Sequence, residues 1–203
     1  MATNHSCLPC TFVAISEDNF YFQVMDDETD LQCDSYKIDK PSQYKHCLRV
    51  QDNRFLSVVG EQCLFVYFNG KEKVGPGKFI VQPFNETPDS PPHPADRGRA
   101  VTLAVREESQ YKVVSCGEGS NDIKVQIMDK LPDKIGDDAC WSVFYMKDSR
   151  GSSGHYQFVS AAKPQFALAI QPEQGTTRMS KLVLRQLVDE VDEGCHIEVP
   201  LCR

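Results

Sequence analysis

The 203-residue sequence has no run of 18 or more apolar residues, so no segment of it can cross a bilayer as a helix. Residues Met1 to Cys10 hold no Lys or Arg and no apolar stretch, which excludes the pattern of a secretory signal. The expectation is a chain that begins its life in the cytosol. The sequons Asn4-His5-Ser6 and Asn85-Glu86-Thr87 then carry no sugar. Cysteine is not scarce, but the nine residues are odd in number and scattered from Cys7 to Cys202. Without a tight framework, the expected state is nine free thiols.

Motifs for chemistry are missing too. His5, His46, His93, His155 and His196 have no partner at metal-ligand spacing. There is no G-x-S-x-G, no Walker loop and no H-E-x-x-H. Cys7-Leu8-Pro9-Cys10 has redox spacing but no second pair to complete a metal site. Gly151 to Gly154 lacks the Lys and the following helix of a phosphate cradle and reads as a hairpin loop. Cys116 and Cys140 have no neighbouring His to activate them, so core thiols are expected. Neither an enzyme nor a bound cofactor or metal is expected.

What is present begins with charge. Residues 1–34 hold seven acids and no base, while residues 35–203 hold 22 acids and 22 bases. The whole net charge of −7 therefore sits on the first sixth of the chain, which marks a segment with a separate task. The balanced remainder has no basic footprint for nucleic acid or an anionic membrane. Within the acidic segment, Thr11–Ile15 and Phe20–Val24 are β-prone and flank Ser16-Glu17-Asp18-Asn19, which predicts a hairpin. The main domain should begin between Asp34 and Ser42.

From His46 onward the pattern is strands. Twelve are expected: 46–50, 54–59, 62–68, 78–84, 99–106, 110–116, 123–128, 141–146, 155–160, 166–170, 181–185 and 195–199. Val101, Leu103 and Val105 alternate with polar or small neighbours, as do Ile123, Val125 and Ile127, which gives sheets with one buried face. Asn69-Gly70 and Gly75-Pro76-Gly77 punctuate them, and Pro83 to Pro94 reads as a long loop. Leu182 to Val191 has room for one short helical turn. Twelve strands in three blocks of four suggest an all-β fold, a β-trefoil, preceded by the acidic segment.

Phe158-Val159-Ser160-Ala161-Ala162-Lys163-Pro164 resembles the signature of the interleukin-1 family, F-x-S-A-x-x-P before an apolar strand. Other stretches are similar to the interleukin-18 branch of that family. Arg97-Gly98-Arg99-Ala100-Val101-Thr102 resembles its R-G-M-A-V-T, Leu131-Pro132-Asp133-Lys134-Ile135 its P-P-D-N-I, and Lys181-Leu182-Val183-Leu184-Arg185 its K-L-I-L-K. At the front, Leu31-Gln32-Cys33-Asp34 stands where the branch has L-E-S-D.

The resemblance implies a twelve-strand β-trefoil cytokine domain over 35–203 and an acidic pro-segment over 1–34. It implies a cytoplasmic precursor cut by an inflammatory caspase between Asp34 and Ser35, with Leu31, Gln32 and Cys33 as recognition residues. Asp27-Glu28-Thr29-Asp30 is a rival site of executioner type. The product would leave the cell unconventionally and act as a monomer in inflammatory and immune responses. Its implied partners are the primary and accessory interleukin-18 receptor chains, both immunoglobulin-like, and a soluble interleukin-18-binding protein. Arg49 matches an arginine of the primary-receptor face; Arg97 and Lys147 match basic positions of the second face, where Arg99 replaces a methionine and would change the local packing. At the accessory face the chain offers Asp122, Ile127 and Trp141. Alternatives are another interleukin-1-type ligand or antagonist that needs no cut, and a trefoil protease inhibitor or lectin.

Overall fold

The computed structural model describes residues 10–16, 19–24, 34–38, 40–42, 44–68, 77–86, 98–117, 120–149, 154–173, 179–187 and 193–202. The chain divides into two units, Met1–Gln32 and Cys33–Arg203. In the first, β1 (Cys10–Ser16) and β2 (Asn19–Val24) pair antiparallel, with Ser16 opposite Asn19. The two expected strands are there and pair as a hairpin.

The second unit holds β3 (Asp34–Ile38), β4 (Lys45–His46), β5 (Arg54–Val59), β6 (Gln62–Tyr67), β7 (Phe79–Glu86), β8 (Arg99–Glu107) and β9 (Gln110–Cys116). It continues with β10 (Ile123–Met128), β11 (Lys134–Gly136), β12 (Phe144–Asp148), β13 (His155–Ser160), β14 (Phe166–Pro172), β15 (Met179–Gln186) and β16 (Ile197–Glu198).

Six of these close on themselves. β4 pairs β7, β7 pairs β8, β8 pairs β12, β12 pairs β13 and β13 pairs β16. The bridges His46–Leu201 and Arg49–Glu198 bring the last strand back to the first. A closed ring has no edge for another chain to extend. Three hairpins, β5–β6, β9–β10 and β14–β15, grow from the ring. They meet one another through β6–β15 pairing and the Asp122–Val183 bridge. A six-strand barrel bearing three hairpins in sequence order is a β-trefoil, and its strands are twelve. The core follows from the alternation: Phe65, Phe79, Leu103, Phe144, Phe158 and Leu168 are fully buried between barrel and hairpins.

β3 and β11 are additions outside the ring, with Tyr36 opposite both Ile135 and Glu86. They cover a satellite core of Tyr36, Phe84, Ile135, Val143 and Tyr145, in which the Tyr36 and Tyr145 hydroxyls lie 2.5 Å apart.

Several expectations need correction. The predicted strand 141–146 is instead a 3-10 helix, Asp137–Ser142, followed by β12, because Trp141 packs on the core from a helical turn. Pro83 opens no loop; β7 runs through it to Glu86. Leu182 to Gln186 is strand rather than helix. The nine thiols are reduced in number too: Cys47 and Cys202 form a disulfide, with Cα atoms 5.4 Å apart. Barrel closure makes these two residues neighbours although 155 positions separate them.

Candidate functional site

The family-like signature has a structural role. Ser160 is fully buried, its hydroxyl accepts the Lys163 backbone N–H at 3.1 Å, and it lies 3.4 Å from the Cys116 thiol. Ala161 N–H donates to the Val143 carbonyl, and Phe166 N–H to that of Lys163. The turn therefore welds β13 to β14 and the barrel wall. None of these groups is placed to meet a partner.

At the end of the barrel away from the hairpins lies a cavity of about 200 Å³. Every strand of the ring contributes: His46 from β4, Val81 and Pro83 from β7, Arg99 and Val101 from β8, Met146 from β12, Tyr156 from β13, and Val199 just past β16. Its lining is apolar with an Arg and a His among it, the composition that receives an apolar group and fixes it by charge. Exposed Tyr44 and Leu201 adjoin, since Cys202 N–H bonds the Lys45 carbonyl.

Two of the expected contact residues meet here. Arg99 is paired with Met146 across β8 and β12, and Lys147 follows Met146. Alternation sends Arg99 and Met146 toward the mouth and Lys147 to the outer face of the wall. The strands are held close at Gly98, whose φ is +91° and whose absent Cβ would stand 2.4 Å from the Met146 carbonyl oxygen. Arg97 lies outside the described residues.

Arg49 stands elsewhere. It is three residues beyond His46, roughly 10 Å along an extended chain, and sits in a row with Phe55, Val66 and Met179 across four strands. Its Nε donates to Glu198 at 2.9 Å, and the other carboxylate oxygen of Glu198 lies 3.3 Å from His155 Nε2. Half-exposed Tyr67, Phe68 and Met179 border that row, with Arg54 over the Tyr67 ring at 5.8 Å. No local pattern marks Glu198 or His155, because the three residues converge only when the ring closes. Of the remaining positions, Ile127 is exposed on β10, Asp122 precedes that strand and bridges Val183, and Trp141 is partly buried.

The expected cleavage bond lies near the start of the second unit. Asp34 and Ser35 open β3, with Asp34 opposite Gly136. Leu31, Gln32 and Cys33 fall outside the described residues.

Nothing described is arranged for catalysis. Burial pushes the Cys63 thiol up to about 12. Burial also raises Cys116, against the lowering effect of its Ser160 hydrogen bond and the Lys163 charge. Ser149 Oγ and His196 Nε2 are 2.9 Å apart, yet both residues are buried and no substrate reaches them. Among the described residues no group of three His, Cys, Asp or Glu could hold a metal, and no helix is long and apolar enough to cross a membrane.

No family model matches the chain, and no curated protein matches it in sequence. Solved structures do match. Chicken interleukin-1β superposes with a TM-score of 0.59 at 15% identity, covering 81% of this chain and 97% of that one. A chicken interleukin-1 variant gives 0.61 at 15% identity, covering 82% and 98%. The chain has the interleukin-1β fold. The ligand-binding domain of botulinum neurotoxin serotype D, solved with N-acetylneuraminic acid, superposes at 0.54 with 9% identity, over 85% of this chain and 46% of that chain. A shared trefoil therefore leaves function to the surface.

Proposed function

We propose that the chain is the precursor of an interleukin-18-like pro-inflammatory cytokine of the interleukin-1 family, activated by an inflammatory caspase that cuts after Asp34. The observation that carries the reading is the place of the Asp34–Ser35 bond. It follows the acidic segment directly and opens the first strand of a unit with the interleukin-1β fold. A caspase grips the Asp carboxylate through charge-assisted, bidentate bonds and reads an extended peptide. A strand end is already extended; only its pairing to Gly136 must open.

The cytokine then docks on two immunoglobulin-like receptor chains. The primary chain takes the Arg49 row with Tyr67, Phe68 and Met179, and the barrel mouth takes an apolar anchor beside Arg99. Aromatic and Arg anchors of this kind dominate interfaces. Arg97 and Lys147 complete the second face, and a soluble binding protein competes for it. The precursor is cytoplasmic and the product is released without a leader. The protein is not an enzyme.

The test is mass spectrometry and cell signalling with the precursor and its Asp34→Ala variant. The precursor should yield the 35–203 fragment and signal only after the cut, while the variant stays whole and silent. A precursor that signals uncut as strongly as the fragment would instead make it an interleukin-1-type ligand needing no maturation.

A further inference from the structure

The barrel closes on its shortest seam. β4 and β16 are two residues each, against five to nine for the other four ring strands. Beyond the Cys47–Cys202 link, the seam holds by four backbone bonds: Cys47 N–H to Pro200 O, Arg49 N–H to Glu198 O, Glu198 N–H to Arg49 O, and Cys202 N–H to Lys45 O. The Arg49–Glu198 pair and a His46 Nδ1 contact to the Val199 carbonyl at 3.3 Å add to them. A short seam held by few backbone bonds is where a fold opens first. Fraying here is costly, because Ile197 and Leu48 on either side of the seam are wholly buried.

Cys47 and Cys202 lie at the outer end of that seam and are half-buried, within reach of small thiols and disulfides. Cys63, Cys116 and Cys195 are buried, and the raised Cys63 and Cys116 thiols supply little of the thiolate that exchange requires. Cys140 is half-buried too, so what singles out the pair is position: its Cα atoms lie 5.4 Å apart across the seam.

We propose that Cys47 and Cys202 are a redox-operated clamp on the closing seam of the barrel, open as two thiols in a reducing medium and shut as a disulfide in an oxidising one. The oxidant is a small disulfide such as glutathione disulfide. The thiolate of one cysteine attacks it, forming a mixed disulfide and releasing one glutathione. The other cysteine's thiolate attacks the protein sulfur of that bond and releases the second. Two protein thiols become one S–S bond, and the oxidant is reduced to two thiols that carry the two protons. Shutting the clamp fixes Val199 and Leu201 at the barrel mouth and holds Glu198 between Arg49 and His155. The chemistry stands on the fold alone; its natural trigger rests on the reading above, in which the chain passes from the cytosol to the outside.

The test uses the full chain, held either in excess reduced glutathione or in a glutathione disulfide buffer. Differential alkylation with mass spectrometry should show Cys47 and Cys202 losing their label together in the oxidised sample. Cys63, Cys116 and Cys195 should keep their thiols in both. The oxidised form should melt about 10 °C higher, as expected for a cross-link closing so long a loop. Hydrogen exchange at the amides of Cys47, Arg49, Glu198 and Cys202 should slow by about tenfold or more, the effect of suppressing local opening. Cys202→Ser should melt alike in both buffers, near the reduced wild type. The proposal is overturned if Cys47 and Cys202 stay alkylatable in the oxidising buffer, or if either pairs with another cysteine. It is equally overturned if the two wild-type forms melt within about 2 °C of each other, less than one kcal/mol shifts a domain of this size.

Discussion

At the residue scale, the positions singled out for contact and those that build the fold separate cleanly. In the most family-like stretch, Phe158 and Ser160 are buried and Ser160 is hydrogen-bonded within the chain. Arg99 stands at the barrel mouth and Lys147 on the wall beside it. Reversing both, Arg99→Glu with Lys147→Glu, should weaken receptor binding about 30-fold, or about 2 kcal/mol. Rim charges act mainly on association rate and salt dependence, so surface plasmon resonance at two ionic strengths is the measurement. Gly98 is the counter-case: a structural residue next to Arg99. Gly98→Ala forces an unfavourable φ and drives a methyl into the Met146 carbonyl. A loss of about 2 kcal/mol or more is expected, read as a lower Tm.

At the element scale, β3 links the cut to the fold. It starts at the scissile bond and is seated two residues later by Tyr36, which is only 5% exposed and touches the Tyr145 hydroxyl. A protease must unpair Asp34 from Gly136 before it can bind the peptide on both sides of the bond. If that opening limits the rate, Tyr36→Ala should be cut several-fold faster after Asp34, with faster exchange at the Ile38 amide that bonds the Asp133 carbonyl. Faster exchange with an unchanged cutting rate would show that β3 is no gate. Most elements were legible in the sequence. The bounds of β5, β9, β10 and β13 match the strands expected there, because each is a β-prone run between turn residues. β3 and β11 were missed, since short strands outside the ring carry little alternation. The expected strand 141–146 begins three residues early, in the end of the 3-10 turn Asp137–Ser142, because Trp141 and Val143 look β-prone until the packing of Trp141 is known.

At the scale of the molecule, the described core lies wholly between Tyr36 and Ile197. The 35–203 fragment should therefore fold alone and melt within about 3 °C of the precursor, a difference of about 1 kcal/mol for a domain of this size. Differential scanning calorimetry of both in one redox buffer is the check; a fragment that stays unfolded would make the acidic segment part of the folding unit. The sequence by itself determined the β class, the trefoil's count of twelve, the acidic first segment and the front hairpin. These rest on local alternation, charge and turn chemistry, which a short window contains. Only the tertiary structure decided the Cys47–Cys202 pair, the Arg49–Glu198–His155 cluster, the mouth assembled from six strands, and the separation of Arg49 from Arg99. Each depends on the first and last strands meeting across some 150 residues, and no local pattern encodes which residues a closing ring will bring together.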